Sequence, residues 1–179
     1  MLMAAFIMID GTVFAVYAMC SALWHELAHV AALRLCRGRV RRVVTRGFGL
    51  RLETEPLTYG KEAVAAAAGP LASLAAAALF AMLPQSRTVT FTAFSNAALF
   101  ALNALPIYPL DGGRVLYCLL CRRLTPERAG AITRAVTYTF MAPLAAAGVA
   151  LVVRSGYNFS LLVILGYVAA TLVRSNELR

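Results

Sequence analysis

The chain has 179 residues, 61% of them hydrophobic and 14% charged, with a mean hydropathy of +0.74, whereas soluble domains carry about 25% charged residues. That composition excludes an ordinary soluble enzyme and points to a membrane protein. The net charge of +9 would suit a nucleic-acid binder, but the basic residues fall in the gaps between long apolar runs, which is how membrane topology is written. No nucleic-acid partner is therefore expected, and the lipid bilayer is the first partner.

Taken in chain order, Met1 to Ile9 carries no Lys or Arg and no small-residue cleavage site, so it reads as part of the mature chain. A helical span needs about 20 apolar residues. Five stretches qualify, at about 4–34, 63–83, 89–108, 135–153 and 158–173. The first is longer than one straight crossing requires, and Asp10-Gly11 leaves open whether 4–34 is one continuous helix. Between the first two spans, 39–45 and 50–55 flank Gly47-Phe48-Gly49, and Leu50-Arg51-Leu52-Glu53 alternates with period two, which predicts a short β-hairpin. The expected fold class is an all-α polytopic membrane protein of about five transmembrane helices with that hairpin between the first and second.

The charges orient it. With the N-terminus outside, 15 Lys and Arg residues fall on the inner side and only Arg87 and Arg154 outside, so the C-terminus is expected in the cytoplasm. Alanine runs in the second and fourth spans predict close helix packing in lipid. The cysteines Cys20, Cys36, Cys118 and Cys121 are too few for a disulfide framework. Cys118-x-x-Cys121 lacks the strand-helix setting of a redox pair.

The chemistry concentrates in His25-Glu26-Leu27-Ala28-His29. On a helix this H-E-x-x-H pattern sets two imidazoles one turn apart on one face with a carboxylate beside them, a metal site with a base. Buried in lipid as a mere polar cluster, each ionisable group would cost about 2.5–3.5 kcal/mol, so a compensating partner is required. Catalytic zinc usually has three protein ligands, and His25 and His29 are the only histidines. Glu53, Glu55, Glu62, Glu127 and Glu177 lie outside the spans, and Asp10 is about 22 Å away along the same helix. Asp111 is the best remaining carboxylate, with Cys118 or Cys121 as alternatives. It follows Asn103-Ala-Leu-Pro106-Ile-Tyr-Pro109-Leu110, where two prolines interrupt helical bonding. Irregular backbone at membrane depth is tolerated where it lines an enclosed cavity. Asn103 there could bind a substrate backbone or a developing oxyanion, or simply bond a neighbouring helix.

His25-Glu26-x-x-His29 in a first span, followed by Asn103-x-x-Pro106-x-x-x-Leu110-Asp111-Gly112 after a third, resembles the site-2 protease family of intramembrane zinc metalloproteases (peptidase family M50). Gly69-Pro70-Leu-Ala-Ser73 is similar to the family's central glycine motif, and the run from Asn103 to Arg114 most resembles the stage IV sporulation protein FB branch. The resemblance covers about residues 15–124. It implies one zinc ion per chain held by His25, His29 and Asp111, Glu26 as catalytic base, and Asn103 as an active-site polar residue. Gly69, Pro70 and Ser73 are candidate substrate contacts, as are Leu50 and Leu52 if the hairpin edge accepts an extended substrate strand.

On this reading residues 1–179 form a single integral-membrane metalloprotease domain, core 4–124 plus a C-terminal pair of spans at 135–173, without a PDZ or CBS domain. Its expected work is hydrolysis of a peptide bond within or next to the membrane segment of a tethered regulatory protein, such as a sporulation transcription-factor precursor. The setting would be a bacterial cytoplasmic or forespore-surrounding membrane, with room for an inhibitory or regulatory membrane protein as partner. Ala28 stands where the family often has Gly. The rival readings are a metal-binding membrane transporter and a non-catalytic scaffold.

Overall fold

A computed structural model describes residues 12–37, 40–46, 49–54, 57–155 and 166. The described elements run α1 (Thr12–Leu35), β1 (Val40–Arg46), β2 (Gly49–Thr54), α2 (Tyr59–Ala81), α3 (Arg87–Asn103), α4 (Asp111–Cys121) and α5 (Pro126–Ser155). They fall into two compact units that divide between Asn103 and Ala104.

In the first unit α1, α2 and α3 pack on one another, and small side chains make this possible. Ala63, Ala65, Ala66, Gly69, Pro70 and Ser73 are the buried residues of α2, and their three- and four-residue spacing lines one helical face. With so little side-chain bulk there, backbones approach closely, the usual basis of helix association where lipid competes with apolar contacts. Polar groups buried in this unit bond between helices. Asn96, 1% exposed, donates from its amide to Ser21 Oγ on α1 at 2.9 Å and to the Thr92 carbonyl on its own helix. At one end of the bundle Phe14 and Phe91 meet with ring centroids 4.9 Å apart, and the Arg87 guanidinium lies 5.0 Å from the Phe14 ring, within cation–π range. β1 and β2 pair antiparallel, from Val40 opposite Thr54 to Arg46 opposite Gly49, with an irregularity between Val40 and Arg42.

The second unit contains α4 and α5, preceded by an irregular segment, residues 104–110. Ile107 is the buried centre, packed by Leu105, Tyr108, Leu110, Met141 and Leu144. The peptide bond between Tyr108 and Pro109 is cis.

The helices differ from the expected spans in instructive ways. Among the described residues only α2 is long and apolar enough, by length and composition, to cross a membrane. The first helix is interrupted chemically by His25, Glu26 and His29. α3 has 17 residues, about 25 Å at 1.5 Å each, and it ends at Asn103 rather than at 108. The cause is Pro106, which disfavours helical backbone at Leu105 before it and has no N–H to continue the ladder. The expected fourth span lies inside the longer α5, 30 residues from Pro126, a position where a missing N–H costs nothing. The expected fifth span, apart from residue 166, and the stretch 4–11 of the first lie outside the described residues.

Candidate metal centre

One turn apart on α1, His25 and His29 point their rings toward α2. His25 is buried at 4% exposure, and the two ring planes stand at 78° with centroids 4.8 Å apart. Their Nε2 atoms lie 3.2 Å from each other. Each Nδ1 is engaged from α2, by the Ser73 hydroxyl at 2.9 Å for His25 and by the Ala65 carbonyl at 2.8 Å for His29. A carbonyl can only accept, so His29 carries its proton on Nδ1 and presents a bare Nε2. The Ser73 hydroxyl can donate or accept, so His25 is free to present either a proton or a lone pair toward His29. With His25 Nε2 protonated the two rings share a hydrogen bond, and with both lone pairs facing inward the pair suits a cation between them.

The residues therefore fit a metal ion. Tetrahedral ligands held about 2.0–2.1 Å from zinc are about 3.3 Å apart, close to the observed 3.2 Å between the Nε2 atoms. Gly69 keeps this space open, since a Cβ there would collide with His29 Nε2 and lie 2.7 Å from His25 Nε2. Pro70, the next residue of α2, offers no N–H to the Ala66 carbonyl and loosens the helix wall beside the carbonyl that receives His29. His25 and His29 supply two donors of a metal-ligand set from α1, and Asp111, the third ligand expected from the sequence, lies in the second unit. Cys118 is 1% exposed, and the four cysteines form no disulfide.

Asp111 is the first residue of α4, where the helix dipole favours a carboxylate, and Arg114 one turn later lies 3.8 Å from its Oδ1. Glu26 is exposed on α1. Asn103 closes α3 and donates its side-chain amide to the Leu99 carbonyl at 3.0 Å. Its second Nδ2–H and its Oδ1 are the groups that could bond a substrate backbone or a developing oxyanion. Ser73, expected among the substrate contacts, is fully buried and gives its hydroxyl to His25. Leu50 and Leu52 lie on β2.

The sequence reading did not find the ligand-orienting roles of Ser73 and Ala65. One signal was available for Ser73, its four-residue spacing from Gly69, which sets both on one face of α2. Backbone carbonyls such as that of Ala65 leave no mark in a sequence.

Residues 57–144 match the family described as Peptidase family M50. Over that stretch, just under half of its length, the chain is similar to peptidase family M50. The match covers α2, α3, α4 and most of α5, and the histidine pair lies just before it. A relative in this setting is the stage IV sporulation protein FB of Bacillus subtilis (strain 168), 34% identical over 117 residues, 60% of this chain and 40% of the relative. The chain thus spans well under half the length of that relative. Among solved structures, the site-2 protease from Methanocaldococcus jannaschii aligns with a TM-score of 0.68 over 93% of this chain and 80% of that one, at 16% identity, which establishes a shared fold.

Proposed function

We propose that the chain is an intramembrane zinc metalloendopeptidase that cuts a peptide bond within or beside the membrane segment of a tethered regulatory protein. The observation that carries this reading is the histidine pair, Nε2 atoms 3.2 Å apart and each Nδ1 held from α2. Such buttressing of the far ring nitrogen is the usual support of a metal-binding imidazole. His25, His29 and Asp111 would hold one zinc ion, which supplies Lewis acidity when bound, polarising a carbonyl and making a water easier to deprotonate. Glu26, adjacent to His25, takes the proton from the attacking water and returns it to the leaving amine. Asn103, through its Oδ1, accepts from a substrate backbone N–H. Leu50 and Leu52 on β2 lie where an extended substrate could add as a strand. Similarity to M50 and the sporulation relative favour a membrane-tethered substrate of the transcription-factor-precursor type. The charge split favours an outside N-terminus and a cytoplasmic C-terminus.

Glu26→Gln tests the reading. It keeps the length of the side chain and removes the base, so purified protein should retain stoichiometric zinc and lose at least about 100-fold in cleavage of a tethered substrate. A metal transporter or scaffold would be indifferent to that change, and undiminished cleavage would overturn the assignment.

A further inference from the structure

Asp111 starts α4 directly after the irregular segment 104–110, so where its carboxylate sits depends on how that segment is held. Pro106 and Pro109 have no N–H to donate. Two of the remaining amides close local turns, Ile107 to the Leu105 carbonyl at 2.7 Å and Leu110 to the Ile107 carbonyl at 2.8 Å. The Tyr108 N–H reaches out of the segment instead, donating to Thr137 Oγ1 on α5 at 3.0 Å. Thr137 is fully buried, and its own proton goes to the Thr133 carbonyl at 2.8 Å. Both capacities of this hydroxyl are thus directed, one anchoring it to α5 and the other fixing the backbone three residues before Asp111.

The same segment is tight against the first turn of α4. A Cβ on Gly112 would collide with the Ala104 and Leu105 carbonyl oxygens, and one on Gly113 with Ile107 and Tyr108 backbone atoms. Backbone lies on backbone there, so a small shift at Tyr108 is passed on to Asp111 rather than absorbed by flexible side chains. If the hydroxyl is removed the Tyr108 N–H loses this partner, and an amide left unsatisfied costs enough to move the segment. Thr133, one turn away on the same helix and also buried, donates only to the Ala129 carbonyl at 2.8 Å and touches the segment with no hydrogen bond among those described.

We propose that Thr137 is a positioning residue for the metal centre, acting through Tyr108 to hold the Asp111 carboxylate in place. This rests on the reading of Asp111 as a zinc ligand. The test compares Asp111→Ala, Thr137→Val, Thr137→Ala, Thr137→Ser and Thr133→Val in the full chain purified in detergent. Zinc affinity is read by chelator competition, and helical content and thermal unfolding are measured in parallel.

Both Thr137→Val and Thr137→Ala should weaken zinc binding about 10- to 100-fold, the usual effect of losing support for a ligand. Thr137→Ser, which restores the hydroxyl, and Thr133→Val should stay within about threefold of the unaltered protein. Should Thr137→Val lose helical content, Thr137→Ala, which adds no bulk, carries the comparison. Wild-type affinity in either hydroxyl-free variant that folds, or failure of both to fold while Thr137→Ser binds no better than they do, overturns the positioning role. An equal loss in Thr133→Val overturns it as well, because the effect would then be general loosening of α5. Undiminished zinc in Asp111→Ala overturns the ligand assignment itself, and is thereby distinguishable from failure of the Thr137 inference.

Discussion

At His29 the Ala65 carbonyl decides which ring nitrogen carries the proton, while at His25 the Ser73 hydroxyl leaves that choice to whatever lies between the rings. The two histidines are therefore supported unequally, and the support of His25 can be removed by one atom. Ser73→Ala leaves His25 Nδ1 without its partner, and zinc affinity should fall about 10- to 100-fold with little change in helical content. Ser73→Thr, which restores the hydroxyl, should recover part of it. Gly69 gives a complementary test. Glycine inside a helix is destabilising by about 1 kcal/mol relative to alanine, so Gly69→Ala should favour α2 by propensity while its Cβ enters the space between the Nε2 atoms. Zinc content should drop by roughly tenfold or more while the helix persists. Full zinc occupancy in Gly69→Ala, measured by metal analysis, would show that the ion does not sit against this face.

Among the elements, the paired strands Val40–Arg46 and Gly49–Thr54 offer a means of holding an extended substrate. If β2 accepts the substrate through its backbone, proline is the disruptive change because it removes a donor. Leu50→Pro or Leu52→Pro should then reduce cleavage at least about tenfold with zinc content and membrane insertion intact, and Leu52→Val should be mild. The contrasting view is that this basic segment rests on anionic headgroups. In that case neutralising Arg41 and Arg42 dominates and proline matters little, so both series run on one tethered substrate separate the two. α2 illustrates how an element can serve two ends with one composition. Its small residues permit close packing, and the same lack of bulk admits two imidazoles against its backbone.

For the whole molecule, the division of charge across the apolar stretches sets the expected orientation. Fifteen of the 17 Lys and Arg residues fall on one side when the loops alternate, an asymmetry that the positive-inside tendency converts into direction. A single cysteine introduced at position 87 in a background lacking the native cysteines should react with an impermeant reagent from outside intact cells. Labelling only after access to the cytoplasmic side would reverse the topology and with it the face from which substrate segments are cut.

Much of this protein is written locally in its sequence. The four-residue spacing of His25 and His29 with Glu26 between them is a complete chemical statement once the segment is helical, because the helix alone then sets both rings on one face. The prolines at 106 and 109 likewise announce a break in the helical ladder, though the sequence placed the end of α3 five residues too late. What only the tertiary structure decided are the partners that come from elsewhere in the chain. Ser73 and Ala65 stand 48 and 36 residues from the histidines they orient, and Thr137 stands 29 residues from the amide it receives. No local pattern encodes such pairings, since they exist only when helices pack at one particular rotation and height. A carbonyl or a methyl-bearing hydroxyl gains its role from that packing and not from its identity in the chain.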